Sequence, residues 1–211
     1  MTIKNLIWDF DGTLCNSYPA IGDCYVKAMK SLGCSIKREW VLDLLHESMS
    51  HCESVMAETY TLKLEDIKSQ FSNNYKLLEE DTHPPFSGTG ELCKYIYNIG
   101  GKNLMVTHRG RKSVQQILKY FDLLQYFSDI ITNDDNFPRK PDPTAFITIL
   151  ERNNIDRSTA LGIGDRELDI IAAQGAGIRT CLFSPETVDT SADFTFGDYI
   201  SLQQHIAKEN Q

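Results

Sequence analysis

The chain has 211 residues, of which 41% are hydrophobic and 24% charged, a composition typical of a globular protein with a sizeable core. Its net charge of −8 disfavours nucleic-acid binding, which requires basic surfaces. The six cysteines form no Cys-x-x-Cys pair, and the first apolar run is too short for a signal peptide or a membrane span. We therefore expect a cytoplasmic protein with reduced thiols that binds neither nucleic acid nor membrane.

The first apolar run is followed by a long helical segment. NLIWDF, at residues 5–10, predicts a buried strand, whereas residues 17–83 contain no comparable run. Four helices are predicted there, at residues 18–32, 37–46, 50–60 and 64–80. THPPFSGTG, at residues 82–90, then interrupts the helical pattern with prolines and glycines. We interpret residues 17–83 as an all-helical domain inserted after the first strand.

Apolar runs and helical patterns alternate through the rest of the chain. Further strands are predicted by KNLMVTH, DIITND, ALGIGD and IRTCLF. Helices are predicted at residues 90–101, 111–127, 142–155 and 167–177. Pro143 suits a first helical position. Because alternating strands and helices favour parallel pairing, we predict an α/β fold, a doubly wound parallel sheet built from residues 1–16 and 84–211.

Polar residues that could take part in catalysis or metal binding follow four of the predicted strands. In chain order they are Asp9 and Asp11, Thr107, Lys140, and the pair Asp165 and Asp169. The carboxyl ends of the strands of a doubly wound sheet share one edge, where ligands bind. We therefore expect these side chains to converge at that edge.

This set of side chains suits phosphate chemistry. Clustered carboxylates repel one another unless a cation joins them, and oxygen ligands such as Asp9 and Asp165 favour Mg²⁺. The Thr107 hydroxyl and the Lys140 ammonium suit phosphoryl oxygens. A carboxylate can itself attack phosphorus to form an aspartyl-phosphate, and Asp11 is placed to act as the general acid and then the base.

Other interpretations of the acidic segments are weaker. DFDG begins like an EF-hand loop, but Gly12 stands at the fourth position instead of the sixth, and Ala20 occupies the twelfth in place of glutamate. A hairpin turn is disfavoured because TLCNS predicts no returning strand. The acidic run at residues 133–136 is interpreted as a solvated loop, with a role in positioning Lys140 as the alternative.

Four short motifs, taken in order, resemble a known family. The motifs of the haloacid dehalogenase superfamily have counterparts in DFDGT at residues 9–13, the strand ending at Thr107, Lys140, and GDRELD at residues 164–169. The resemblance covers residues 4–183. The helical insertion is similar to the superfamily's type-one cap, and residues 16–33 resemble the opening cap helix of the phosphoglycolate phosphatase-like branch.

The resemblance implies a Mg²⁺-dependent enzyme with assigned residue roles. Asp9 is the implied nucleophile and metal ligand, and Asp11 is the implied acid and base, with its backbone carbonyl on the metal. Asp165 is a further implied metal ligand. Asp169 is implied to lie in the outer coordination shell of the metal or to bind the lysine. The implied phosphate-binding residues are Gly12, Thr13, Thr107, His108 and Lys140.

Three positions bear on the choice of substrate. The superfamily's dehalogenases lack a carboxylate at the position of Asp11, which disfavours a carbon–halogen substrate. His108 replaces the usual asparagine, at a position that mostly contributes its backbone amide, so we expect catalysis to survive. Residues 48–51, at the junction between cap helices, replace a glycine-rich segment common in phosphoglycolate phosphatases, a departure that concerns the substrate and leaves the chemistry unchanged.

We predict a phosphatase that hydrolyses a small-molecule phosphate monoester through an aspartyl-phosphate, with phosphoglycolate as the first substrate. The next candidate substrates are nucleotide monophosphates, pyrophosphate and sugar phosphates. The first alternative is a β-phosphoglucomutase-like phosphotransferase, ranked second because Lys37, Arg38 and Lys63 form no recognisable phosphate-gripping motif. The second alternative is a non-catalytic relative that binds a phosphometabolite or a protein partner. We expect a monomer or a homodimer.

Overall fold

The computed structural model describes residues 2–210, which divide into two compact units. One unit is Ser17–His83, and the other contains the described residues on either side of it. Within residues 2–210, no helix has the length and apolar character that crossing a membrane requires.

The unit outside Ser17–His83 is built on a six-stranded sheet in which every neighbouring pair of strands is parallel. The strands are β1 (Asn5–Trp8), β2 (Asn103–Val106), β3 (Phe127–Ile131), β4 (Ala160–Gly164), β5 (Arg179–Phe183) and β6 (Phe194–Phe196). Their order is β3-β2-β1-β4-β5-β6. The predicted fold class is therefore confirmed, and the central strand β1 is the one that carries the DFDGT motif.

Ser17–His83 folds into helices around its own apolar core. They are α1 (Tyr18–Ser31), α2 (Arg38–Glu47), α3 (Met49–Tyr60) and α4 (Leu64–Tyr75). The fourth predicted helix is too long, since α4 ends at Tyr75 and residues 76–79 form a turn and irregular backbone before a 3₁₀ turn at Glu80–Thr82. Leu77 is 79% exposed, so a further helical turn would gain little burial there.

Helices cover both faces of the sheet. They are α5 (Thr89–Asn98), α6 (Arg111–Tyr120), α7 (Thr144–Arg152), α8 (Glu167–Gly175) and α9 (Tyr199–Glu209). Leu6 and Trp8 of β1 pack into one apolar cluster with residues of α5, α6 and α9. Ile7, between them, packs into a second cluster with residues of α7 and α8. Side chains alternate along a strand, so β1 is buried on both faces and appears in the sequence as a continuous apolar run.

The structure differs from the predicted elements at several places. The segment 111–127 is not one helix, because Asp122 adopts a left-handed φ of 55° and a 3₁₀ turn follows. Pro143 caps α7 and is not its first residue. Strand β6 and helix α9 were not predicted, since FTF is too short to register as an apolar run.

Candidate active site

The loop after β1 is closed by backbone hydrogen bonds. The Asp9 amide donates to the Ile163 carbonyl at 2.9 Å, which extends the pairing with β4 by one residue. Gly12 then turns the chain with a φ of 79°, a conformation that favours glycine. The Cys15 amide donates to the Phe10 carbonyl at 2.9 Å and completes the loop. The motif therefore presents its carboxylates from a fixed backbone.

Three of the predicted carboxylates meet at this edge of the sheet. Asp9, Asp165 and Asp169 each offer an oxygen atom, and these atoms all lie within 4.8 Å of one another. Lys140 Nζ donates to Asp9 Oδ1 at 2.6 Å and to Asp169 Oδ1 at 2.7 Å. The side chains of Asp9, Asp169 and Lys140 are at most 3% exposed. Two buried carboxylates therefore share one buried ammonium group.

Burial and charge act against each other in this cluster. Desolvation raises the pKa of Asp9 to about 6, because the raising effects of burial and of Asp169 together outweigh the lowering effect of Lys140. Desolvation acts to lower the pKa of Lys140, but Asp169 and Asp9 outweigh it and raise that pKa above its ordinary value. The lysine is therefore charged, while the carboxylates exceed it in number.

The cluster fits a divalent cation. Asp9 Oδ2 is buried and accepts no hydrogen bond from any of residues 2–210. A buried carboxylate oxygen without a partner is costly, and a cation would satisfy it. Asp9 and Asp165 offer only oxygen donors, which suits Mg²⁺ better than softer metals.

Asp165 is oriented by a residue of the first motif. Thr13 Oγ1 donates to Asp165 Oδ1 at 2.9 Å, which joins the loop after β1 to the end of β4. The Tyr199 hydroxyl, at the start of α9, donates to the Thr13 carbonyl at 2.5 Å. Thr13 was predicted to bind phosphate, and in the structure its hydroxyl holds a candidate metal ligand. No pattern in the sequence predicted this role of Tyr199.

Thr107 and His108 follow β2. The Arg109 amide donates to Thr107 Oγ1 at 3.1 Å, so the Thr107 hydroxyl keeps its own proton to donate. His108 Nε2 accepts from the Lys140 amide at 3.0 Å, which places the imidazole against the backbone of the lysine loop. Burial, with Lys140 and Arg139 nearby, lowers the pKa of His108 to about 3. The ring is therefore neutral and helps to fix Lys140.

Asp11 makes a partly buried ion pair that was not predicted. Arg109 Nη2 donates to Asp11 Oδ1 at 2.8 Å, and Nε lies 3.1 Å and 3.2 Å from Oδ1 and Oδ2. The Arg109 side chain is 3% exposed, against 23% for Asp11. Arg109 belongs to the basic run Arg-Gly-Arg-Lys, and nothing in that run distinguishes it as the partner of Asp11.

Two other sequence features have structural explanations. Asp135, in the acidic run, accepts hydrogen bonds from Thr132 and Arg111 and so stabilises its own loop. Ser48 caps α3, since its hydroxyl accepts from the His51 amide at 2.9 Å. The His51 ring lies 3.3 Å from Glu47 Oε2, one helical turn away. A role of this junction in substrate choice stays a prediction.

The chain is similar to known hydrolases over most of its length. Residues 6–183 match the model of the haloacid dehalogenase-like hydrolase family. The chain is 26% identical over 192 residues to a phosphoglycolate phosphatase of Pseudomonas fluorescens, across 85% of this chain and 68% of that protein. It is 28% identical over 186 residues to the pyrophosphatase PpaX of Bacillus cereus, across 87% and 84%. A solved hydrolase structure from Streptococcus pneumoniae matches with a TM-score of 0.69 and 28% identity, across 98% and 100%.

The doubly wound sheet and the family match together define the class of protein as a hydrolase. The chain belongs to the haloacid dehalogenase-like hydrolase family, because the family model covers far more than half of its residues. It is an enzyme of the family's phosphatase type, which confirms the predicted resemblance to the phosphoglycolate phosphatase-like branch.

Proposed function

We propose that the protein is a Mg²⁺-dependent phosphatase that hydrolyses a small-molecule phosphate monoester through an aspartyl-phosphate at Asp9. The observation that carries the proposal is the state of the Asp9 carboxylate. Lys140 holds one of its oxygens, and the other is buried without a hydrogen-bond partner among residues 2–210. A carboxylate held in this way is oriented and incompletely satisfied, as a nucleophile must be.

In the first step, the Asp9 carboxylate attacks phosphorus. A bond forms between its oxygen and phosphorus, and the bond from phosphorus to the leaving oxygen breaks with its electron pair. Asp11, which enters this step in its protonated form, gives its proton to that oxygen, so the product leaves as an alcohol. The Thr107 hydroxyl and the Lys140 ammonium hold the other phosphoryl oxygens and stabilise their charge in the transition state.

In the second step, the same residues release phosphate. Asp11, now ionised, removes a proton from a water molecule, whose oxygen attacks phosphorus. The bond from phosphorus to Asp9 breaks, which restores the carboxylate and frees inorganic phosphate. Asp9, Asp165 and the Asp11 carbonyl would hold Mg²⁺, which would supply positive charge that offsets the carboxylates and the phosphoryl group.

The proposed substrate is phosphoglycolate, with pyrophosphate next. Relatives that carry those two names match the chain with 26% and 28% identity. We also propose that Ser17–His83 is the family's cap and chooses the substrate, with residues 48–51 contributing. A mutase differs in its product, because it returns the phosphoryl group to a sugar hydroxyl and releases no phosphate.

A panel assay tests the function. Phosphate release is measured from phosphoglycolate, pyrophosphate, sugar phosphates, nucleotide monophosphates and p-nitrophenyl phosphate, with Mg²⁺ and with EDTA. We expect Mg²⁺-dependent release, abolished in Asp9→Asn and retained in Asp189→Asn, an exposed aspartate outside the site. Acid-quenched enzyme should carry phosphate that hydroxylamine removes. Activity that persists in EDTA contradicts the metal site, and full activity of Asp9→Asn contradicts the nucleophile.

A further inference from the structure

Arg109 is a buried cation directed at the candidate acid and base. Its Nε and Nη2 atoms contact both carboxylate oxygens of Asp11, at 2.8–3.2 Å. Two donors of one planar group therefore engage one carboxylate, which fixes the direction of that carboxylate as well as its distance. A lysine ammonium at the same place would supply the charge without the second contact.

The guanidinium group is itself held from other sides. Its Nη1 atom donates to Ser113 Oγ at 2.8 Å, within helix α6. Its carbon atom lies 5.1 Å from the centroid of the Phe10 ring, the residue that precedes Asp11. The Arg109 amide also donates to Thr107 Oγ1. Arg109 therefore reaches the loop after β1 from a position fixed by the loop after β2.

We propose that Arg109 is the positioning residue for Asp11. It holds the Asp11 carboxylate in one orientation, in which that group exchanges a proton with the leaving oxygen. The inference rests on the proposed function, in which Asp11 is the acid and the base. Proton transfer depends on geometry, and a displacement of about 1 Å can cost about 100-fold in rate.

This role makes the need for Arg109 depend on the leaving group. An alkyl phosphate such as phosphoglycolate releases a poor leaving group that needs the proton from Asp11. p-Nitrophenyl phosphate releases a stabilised anion that departs without it. Misplacing Asp11 should therefore slow the first step for phosphoglycolate far more than for p-nitrophenyl phosphate, and kcat/KM reports that step. The second step uses Asp11 as the base and is common to both esters, so kcat falls for both, and a general disturbance of the fold lowers kcat/KM for both alike.

The first experiment compares the two esters in Arg109→Lys, which keeps the charge that Asp11 faces. We expect kcat/KM for phosphoglycolate to fall about 100-fold, against a loss in kcat/KM below about 10-fold for p-nitrophenyl phosphate. Arg111→Lys is the matched control, because Arg111 lies two residues from Arg109 and also pairs with an aspartate, Asp135. It should leave both rates unchanged. Equal losses on the two esters in Arg109→Lys overturn the proposal.

The second experiment is chemical rescue. Arg109→Ala, checked for its fold by circular dichroism, should regain phosphoglycolate turnover with millimolar guanidinium chloride and not with sodium chloride of equal ionic strength. If Arg109→Ala fails to fold, the ester comparison in Arg109→Lys decides alone. A folded Arg109→Ala that guanidinium does not rescue contradicts the proposal.

Asp11→Asn separates this inference from the proposed function. If it lowers kcat/KM for phosphoglycolate far more than for p-nitrophenyl phosphate and Arg109→Lys does not, the Arg109 proposal fails and the proposed function stands. If Asp11→Asn lowers kcat/KM for both esters alike, the acid role of Asp11 fails, and the Arg109 proposal fails with it. The double variant should be no slower than Asp11→Asn, because Arg109 acts through Asp11.

Discussion

Each of the two compact units buries a carboxylate, and the two carboxylates are satisfied differently. In the helical unit, Glu53 Oε1 accepts from the Tyr25 hydroxyl at 2.9 Å, and Oε2 lies 3.7 Å from Lys68 Nζ. In the α/β unit, Asp9 Oδ1 accepts from Lys140, but no residue in the described range 2–210 donates to Oδ2. Among residues 2–210, Glu53 therefore has a polar partner within 4 Å of each oxygen, whereas Asp9 accepts a hydrogen bond only at Oδ1.

The difference agrees with the proposed roles, in which Glu53 is a structural acid and Asp9 is a catalytic one. Glu53 of α3 contacts α1 through Tyr25 and α4 through Lys68, so its burial stabilises the helical unit. The unsatisfied oxygen of Asp9 lowers the stability of the α/β unit. Groups that a fold keeps at the expense of its stability are concentrated at functional sites.

The largest expected effect is that of Asp9→Asn on activity. The amide cannot attack phosphorus, so turnover of p-nitrophenyl phosphate should fall by about 10⁴-fold or more. The melting temperature should stay within a few degrees of wild type, because the variant removes a charge that burial disfavours. A steady-state assay and a thermal melt check both parts. Strong destabilisation would instead make Asp9 a structural acid like Glu53.

Lys140→Met is expected to affect activity and stability together. Two buried carboxylates lose their shared cation, and breaking a buried ion pair costs about 3–5 kcal/mol in the free energy of unfolding. Activity should fall about 10³-fold, because the phosphoryl oxygens lose a positive charge. Urea denaturation and the phosphatase assay measure the two effects. A loss of activity with unchanged stability would show that Lys140 does not hold Asp9 and Asp169 in solution.

The pH dependence of stability should show the raised pKa of Asp9. Its pKa is about 6 in the fold against an ordinary 3.8. Folding therefore favours the protonated form of Asp9. The resulting contribution to the free energy of unfolding is fully present below about pH 4 and is lost as pH rises through 6. The loss is at most about 3 kcal/mol without metal.

Mg²⁺ should reverse that loss, because it binds the ionised carboxylate. We expect Mg²⁺ to raise the melting temperature more at pH 7.5 than at pH 5, in thermal melts with and without the ion. In Asp9→Asn this difference between the two pH values should shrink. An equal Mg²⁺ effect at both values in wild type would contradict the assignment of the site.

The smallest effect is expected for Tyr25→Phe in the helical unit. Removing the hydroxyl leaves Glu53 Oε1 buried without its donor, which should cost about 1–3 kcal/mol in the free energy of unfolding. The aromatic ring keeps its stacking on Phe71, at 4.1 Å between centroids. Turnover of p-nitrophenyl phosphate by the folded variant should change less than about 3-fold. A larger loss would give the Glu53 network a part in catalysis.

The site was partly predictable because its residues follow the ends of short apolar runs. Parallel pairing brings such ends to one edge, so the meeting of Asp9, Asp165 and Asp169 could be expected from the order of the elements. The partner of Asp11 could not be predicted in this way. Arg109 and Arg111 follow the same strand with similar neighbours, and only the folded chain brings Arg109 to a carboxylate 98 residues away.

The C-terminal elements were also beyond prediction, for a similar reason. Strand β6 has three residues and shows no usable periodicity. The contact that matters most in this region joins Tyr199 to Thr13, across 186 residues. Local patterns report local structure, and hydrogen bonds between distant segments leave no periodic signal.

The Tyr199 hydrogen bond has a consequence for protein synthesis. Because the ribosome makes a chain from its amino end, Thr13 is made 186 residues before the hydroxyl that holds its carbonyl. Asn210 likewise bonds both backbone groups of Ile3. A nascent chain therefore carries its DFDGT motif through a long stretch of translation before that loop receives this support, and we expect activity to appear only after Tyr199 has been made.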